Sequence, residues 1–397
     1  MARGTSAGLL SSPVGRPQSV FKHEILRQYL DPFAGMTGKQ SAGGRVVIVD
    51  GYAGCGRYDS GQPASAELIM KTAKRFRARA VHTFFVEEDR SSFAKLDAVV
   101  AEYRAAGVDA IAQPGRVEDH LDTVIGVAHG VPLFCFFDPC GAVVPFEFLS
   151  SFLSGQRCRV RPATEVLLNF SAEFTRRAAG ALVAGQADNS GVLALDRTCG
   201  GQWWRQIALE AQQRSHTGSY EKAAEAIATE YAARLGHAAR ATAVTIPVRK
   251  RQHHQPTYHL VFLTRSPYGR WVFGDSVAKA RKAWLRCLDP EPDDAADEPA
   301  LFSWGDLTET AIKREDDQAQ RRVEENLRDL LAAMSGFQLV RQAAAVMNGV
   351  FGVATELVVV RAVRALETAG ALVIRRPCPS RPRDWVVERP RAPRGTP

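Results

Sequence analysis

Apolar and polar positions in the first 170 residues alternate between two rhythms. Short runs of consecutive apolar residues mark buried strands, and apolar residues recurring every three or four positions mark helices. The pattern predicts strands at 46–50 (VVIVD), 81–87 (VHTFFVE), 108–113, 131–138 (VPLFCFFD) and 164–170 (TEVLLNF). Helices are predicted between them at 66–80, 91–106, 117–128 and 145–153. Five such units, with near-continuous apolar strands, point to a parallel, doubly wound sheet covered on both faces. The rhythm then breaks. Residues 171–240 read as mostly helical with no strand between, including 200–214 and 220–240, and two strands follow at 242–250 and 257–266. Their connection is too short for a crossover helix, so these two strands must be antiparallel.

The segment 288–300 (LDPEPDDAADEPA) is acidic and proline-rich, a linker composition. Beyond it, helices are predicted at 316–333, near 342–347 and at 355–369, the last with Thr355 as N-cap and Gly370 just past its end. Residues 371–375 and 384–387 are placed to form a hairpin, and helix, helix, hairpin is the outline of a winged helix. The expected division is a disordered tail at 1–18 and a large domain at 19–287 carrying a helical insertion at 171–240. An acidic linker at 288–302 and a winged-helix-like α+β domain at 303–397 complete it. No internal repeat is visible.

Composition narrows the class. Of 397 residues, 45% are hydrophobic and 24% charged, which is ordinary for a globular protein. No stretch reaches the roughly 18–20 apolar residues of a membrane span, and the N-terminus lacks a continuous apolar signal region, so a cytoplasmic location is expected. The seven cysteines are scattered with no Cys-x-x-Cys pair, a pattern that favours separate reduced thiols over disulfides or zinc. The net charge of +8 suggests a nucleic-acid partner. Its C-terminal concentration lies in Arg361, Arg364, Arg375, Arg376, Arg381, Arg383, Arg389, Arg391 and Arg394.

Five parallel strands followed by an antiparallel pair is the Rossmann-like, seven-stranded arrangement of class I methyltransferases; ordinary nicotinamide-binding Rossmann domains lack the final pair. The loop after the first strand, Asp50-Gly-Tyr-Ala-Gly-Cys-Gly-Arg-Tyr58, carries the candidate cofactor chemistry. Gly51, Gly54 and Gly56 let the backbone turn tightly and approach a ligand. Asp50 is placed to meet the amino group of S-adenosylmethionine. Glu87, ending the second strand, is the candidate for the ribose hydroxyls, with Glu88 and Asp89 as rivals. Glu118 or Asp119, after the third strand, can meet the adenine amino group or answer the helix dipole. Asp138-Pro139-Cys140-Gly141 ends the fourth strand, where Asp138 can accept a hydrogen bond from a substrate amine. A plain strand-terminal turn is the alternative. Asn169, at the end of the fifth strand, borders the same crevice or acts as a cap.

Five segments, Lys22–Leu30, Asp50–Tyr58, Phe85–Asp89, Phe137–Gly141 and Leu168–Phe170, resemble in that order the three-Cys-motif partner protein (TcmP) family, over about residues 19–280. The resemblance implies a methyltransferase-like fold, often encoded beside a radical-SAM-like partner protein. The glycine loop and the preceding Lys/His segment are also similar to the ribosomal-RNA adenine N6 methyltransferases, and make Lys22, Arg57 and Tyr58 candidates for substrate contact. Those enzymes carry Asp-Pro-Pro-Tyr at the fourth strand, with the tyrosine stacking on the flipped base. Here Cys140 and Gly141 replace Pro and Tyr, so the stacking ring would have to be Tyr52, Tyr58 or Phe146.

The expected function is S-adenosylmethionine-dependent methylation of nucleic acid. The alternatives are a catalytically silent partner of a radical-SAM-like protein and a methyltransferase of protein or small molecules. Elsewhere, His253, His254 and His259 read as surface residues of a hairpin turn rather than metal ligands. Trp203 and Trp204 read as one partly exposed and one buried ring. Lys279, Arg281, Lys282 and Arg286 read as a solvated helix face.

Overall fold

The structure is a computed structural model describing residues 17–76, 80–139, 141, 144–155, 157–214, 220–288 and 304–390. Cys140, Arg391, Arg394, the expected tail up to residue 16 and the acidic stretch 289–303 lie outside the described residues. The chain divides into two compact units. One comprises residues up to 19 together with 30–265, and the other comprises 20–29 with 266–397.

The first unit is built on strands β1 (Val46–Asp50), β2 (Val81–Glu87), β3 (Asp109–Pro114), β4 (Leu133–Phe137), β5 (Thr164–Ser171), β6 (Thr242–Arg249) and β7 (Pro256–Thr264). They form one sheet in the order β3-β2-β1-β4-β5-β7-β6. The first five are parallel, while β7 runs antiparallel to both β5 and β6. This is the Rossmann-like methyltransferase sheet expected from the sequence.

Alternate residues along the strands serve the two faces. Val47, Val49, Cys135, Phe137, Leu168 and Val261 join one buried cluster. It packs beneath α4 (Val117–Val127), α5 (Phe146–Ser154), α6 (Ala172–Val183), α7 (Ser190–Cys199), α8 (Trp203–Arg214) and α9 (Glu221–Ala239). The other face meets α2 (Ser65–Arg75) and α3 (Arg90–Ala105). The helical stretch anticipated from residue 200 starts later. Gly200 is the left-handed C-cap of α7 (φ 67°), and α8 begins at Trp203. Strand β4 stops at Phe137, so Asp138 lies just beyond it rather than within it.

The second unit begins well before the acidic stretch that composition marks as a linker, because α10 (Pro267–Arg286) belongs to it. Trp271 of α10 is wholly buried in a core with Val323, Leu327, Val346 and Val359. The remaining elements are α11 (Trp304–Ala333), β8 (Gly336–Gln338), α12 (Ala343–Val346), α13 (Glu356–Thr368), β9 (Val373–Ile374) and β10 (Val386–Glu388). Thr355 caps α13, accepting from the Val358 amide. The hairpin expected from the sequence gains a third strand, since β10 pairs antiparallel with both β8 and β9. Helix α1 (Pro17–Gly38) contributes its residues 20–29 to this unit. Among the described residues no helix is long and apolar enough to cross a membrane.

Candidate active site

The loop after β1 is held by backbone hydrogen bonds to both neighbouring strands: the Gly51 amide donates to Phe136 (3.0 Å) and the Ala53 amide to Val86 (3.0 Å). Asp50 is fully buried, and its Oδ1 accepts from the Tyr52 amide at 3.1 Å, which turns the chain. The three glycines serve different needs. A Cβ on Gly51 would stand 2.7 Å from both Phe137 and Val117, so this glycine is required by packing. Gly56 combines φ +74° with a Cβ position 3.1 Å from Leu96. Gly54, at φ +60°, is the one whose Cβ would meet nothing within 4 Å. Of these three, Gly54 is the one whose backbone borders open space, as the approach of a cofactor requires.

Glu87 closes this loop from β2. Its Oε2 accepts from the Gly54 amide at 2.7 Å and its Oε1 from the Asp89 amide at 2.8 Å. Burial raises the Glu87 carboxyl above its ordinary range, against the pull of those two amides. Each oxygen retains acceptor capacity for a ribose hydroxyl. Its rival Asp89 is committed as the N-cap of α3, accepting from the Ser92 amide and the Ser91 hydroxyl, both at 2.8 Å. Glu118, in the first turn of α4, pairs with Arg116 at 3.0 Å. Burial, and secondarily the Glu118 carboxylate, push the Tyr52 phenol above its usual range.

Arg57, expected at the substrate, spends its guanidinium on two carboxylates. Nε and Nη2 donate to Glu67 (2.8 and 3.1 Å), and Nη2 and Nη1 donate to Glu102 (2.8 and 3.4 Å). Glu67 is buried and also accepts from the Tyr103 hydroxyl at 3.1 Å. A guanidinium so occupied holds the loop to α2 and α3. Glu67 and Glu102 carry no motif in the sequence and were not singled out there. Tyr58 sits in a tight turn, its amide donating to Gln62 and its carbonyl accepting from Gly61, each at 2.9 Å. Lys22 lies on α1 in the segment that belongs to the second unit.

The register brings together the two remaining candidates. Phe137 pairs with Leu168, so Asp138, the first residue past β4, comes beside Asn169, which lies within β5 two residues before its end. Asn169 Nδ2 donates to Asp138 Oδ1 at 2.8 Å. Because a carboxylate only accepts, this bond fixes which way the amide faces. Among the described residues the buried Asn169 Oδ1 has no hydrogen-bond partner. Left without a partner, such a group costs about 1–3 kcal/mol. Pro139 is buried directly after Asp138. On the cluster side, Phe170 packs on Tyr231 of α9 (4.8 Å between centroids), and Tyr231 on Phe146 (6.0 Å). Tyr231 is wholly buried, which raises its phenol well above the ordinary value, and it had no signal in the sequence.

The other motifs resolve as follows. Trp204 is fully buried and Trp203 partly, as expected. His253 and His254 are exposed, but His259 is not a surface residue. It is 2% exposed on β7 opposite Phe170, because the strand starts at Pro256 and includes it. The basic face of α10 is paired: Lys279 with Asp275 (2.8 Å), Arg281 with Glu315 (2.8 Å), Lys282 with Asp316 (2.7 Å) and Arg286 with Glu309 (2.6 Å).

Most C-terminal arginines are also engaged. Arg364 and Arg376 meet Glu367 (2.6 and 3.2 Å), Arg375 meets Glu388, Arg383 meets Glu356 (3.0 Å), and Arg361 meets Asp317 (4.0 Å). Arg389 caps α11 through the Leu331 and Ala332 carbonyls, both at 2.9 Å. Their charge is therefore far better balanced than the sequence suggests. Among the described residues no group of three or more His, Cys, Asp and Glu is placed to hold a metal ion.

No family model matches the chain, and no curated protein matches it in sequence. Among solved structures it is similar to small RNA methyltransferase HEN1, at TM-score 0.30 and 11% identity, over 62% of this chain and 25% of that one. It is also similar to geranyl diphosphate methyltransferase in complex with GPP and sinefungin, at TM-score 0.25 and 12% identity, over 58% and 76% of the two chains. The chain thus spans a quarter of the first of these proteins. At that level of superposition the fold is read from this chain's own strand order.

Proposed function

We propose that this chain is a cytoplasmic, S-adenosylmethionine-dependent methyltransferase that modifies an amino nitrogen of nucleic acid. The observation carrying the proposal is the Asp138–Asn169 hydrogen bond at the ends of β4 and β5, beside a loop that opens onto free space at Gly54. Asp50, Gly54 and Glu87 suit the methionine and ribose portions of the cofactor, and Glu118 the adenine. Bound there, S-adenosylmethionine supplies a methyl group made electrophilic by its sulfonium. Asp138 accepts a hydrogen bond from the substrate amine, keeping its lone pair aimed at that methyl group, a positioning effect worth several kcal/mol. Asn169 holds the carboxylate in place through its amide.

The nucleic-acid part rests on the net charge of +8 and on a winged-helix-like reading of the second unit. The pairing of the C-terminal arginines shifts the expected phosphate contacts away from that cluster. The motif likeness to the TcmP family supports a second reading, a catalytically silent partner of a radical-SAM-like protein. Gly141, standing where adenine N6 enzymes place a stacking tyrosine, favours it.

Transfer of labelled methyl groups to RNA, DNA and protein separates the two. Asp138→Ala should lower turnover by orders of magnitude and leave cofactor affinity near the wild-type value. Undiminished transfer by Asp138→Ala would reduce Asp138-Pro139 to a turn.

A further inference from the structure

The helical insertion carries an open groove of about 450 Å³ that the proposed reaction does not use. Its floor is apolar, formed by Phe146 at the start of α5, Cys199 and Gly200 at the end of α7, and Ala233 and Ala238 of α9. Glycine at 200 is required twice over: φ is +67°, and a Cβ would stand 2.7 Å from the Phe146 ring. One wall is Trp203, whose indole is fixed by donating Nε1 to the Cys199 carbonyl at 2.9 Å.

The rim is polar, carrying the Arg234–Glu230 ion pair and His237. The Arg234 guanidinium lies 4.6 Å from the centre of the Trp203 ring, and its Nε donates to Glu230 at 2.7 Å. That arrangement holds the guanidinium over the indole and leaves its two terminal amino groups without a hydrogen-bond partner among the described residues. His237, three residues further along α9, is exposed on the same helix side. Behind the floor, Phe146 contacts Tyr231 and Tyr231 contacts Phe170, the neighbour of Asn169.

We infer that this groove binds a nucleoside phosphate unit, its base on the apolar floor and against the Trp203–Arg234 stack, its phosphate on Arg234 and His237. Bases stack on indole and guanidinium planes alike, a volume in the few-hundred-Å³ range suits one such unit, and arginine's fork matches a phosphate. Glu230 takes one edge of the Arg234 guanidinium through Nε, which leaves the two terminal amino groups to meet the phosphate. The inference deepens the nucleic-acid part of the proposed function, on which its biological role rests, and gives it a contact surface outside the C-terminal arginines.

The test uses the full-length protein and two probes: adenosine monophosphate, and labelled single-stranded RNA and DNA of about ten nucleotides. Wild type should bind both. Arg234→Ala should weaken strand binding about tenfold and reduce its salt slope by about one. Ala233→Trp, at an exposed position, should fill the groove and abolish binding of the mononucleotide without disturbing the core. Binding of the mononucleotide alone would assign the groove to a free nucleotide, within the same chemistry. Failure of wild type to bind either probe, or wild-type affinity retained by both Arg234→Ala and Ala233→Trp, would overturn the inference. S-adenosylmethionine titrations run in parallel keep the two claims apart, because loss of cofactor binding would sink the methyltransferase reading and leave the groove assignment standing.

Discussion

Two glycines three residues apart should fail in opposite ways when substituted. In Gly51→Ala the new methyl group would lie 2.7 Å from Phe137 and from Val117, and 2.9 Å from a second Phe137 atom. Those side chains lie in or beside the sheet core, so the cost is overpacking, about 1–3 kcal/mol. At about 2–4 °C per kcal/mol for a domain of this size, the melting temperature should fall by about 2–12 °C. Gly54 is different, because the added Cβ meets nothing within 4 Å and the constraint is its φ of +60°. Asparagine tolerates that region, so Gly54→Asn should cost less than about 1 kcal/mol while its side chain projects into the space proposed for the cofactor. S-Adenosylmethionine affinity should then drop at least tenfold, about 1.4 kcal/mol. Thermal melts and calorimetric titrations of the two variants provide the comparison. Wild-type affinity in Gly54→Asn would show that this space is not the cofactor's, and an unchanged melt for Gly51→Ala would show that the packing argument is wrong.

Glu67→Gln should loosen the same loop from the other side. It removes the ion pairs to Arg57 (2.8 Å) and Lys71 (3.4 Å), at about 1–2 kcal/mol after allowing for water around the part-exposed Arg57; a melt unchanged within a degree would contradict it. His259 predicts a pH dependence. Burial, reinforced by Arg249 and Arg176, lowers its folded value from 6.5 to about 4. A depressed histidine contributes stability that is complete above the unfolded value of 6.5 and is lost as pH falls towards 4, about 3 kcal/mol in all. In denaturant titrations the stability of wild type relative to His259→Leu should therefore fall by about 2–3 kcal/mol between pH 7.5 and 4.5; an unchanged difference would place His259 in contact with water.

The sheet was legible because strands covered on both faces are written as continuous apolar runs, and because the short connection before Pro256 leaves no room for a crossover. The strand-end residues followed from it: Asp50, Glu87 and Asn169 end β1, β2 and lie near the end of β5 as read. What joins them was not legible. Asn169 meets Asp138 across 31 residues and Arg57 meets Glu102 across 45, contacts made by register and helix packing rather than by any local pattern. His259 was misplaced because its neighbours His253 and His254 drew it into the turn, whereas pairing with Phe170 draws it into the sheet. The C-terminal arginines misled for a related reason, since Asp317 and Glu356, which neutralise two of them, lie on helices far away in sequence. Strand β8, three residues long, is too short to leave a periodicity.

Calorimetric titration of the full-length protein with S-adenosylmethionine and with its demethylated product tests the central claim most directly. The account predicts saturable binding of both at one site per chain, weakened at least tenfold by Gly54→Asn and kept by Asp138→Ala. Absence of binding by the wild type to either compound would contradict it.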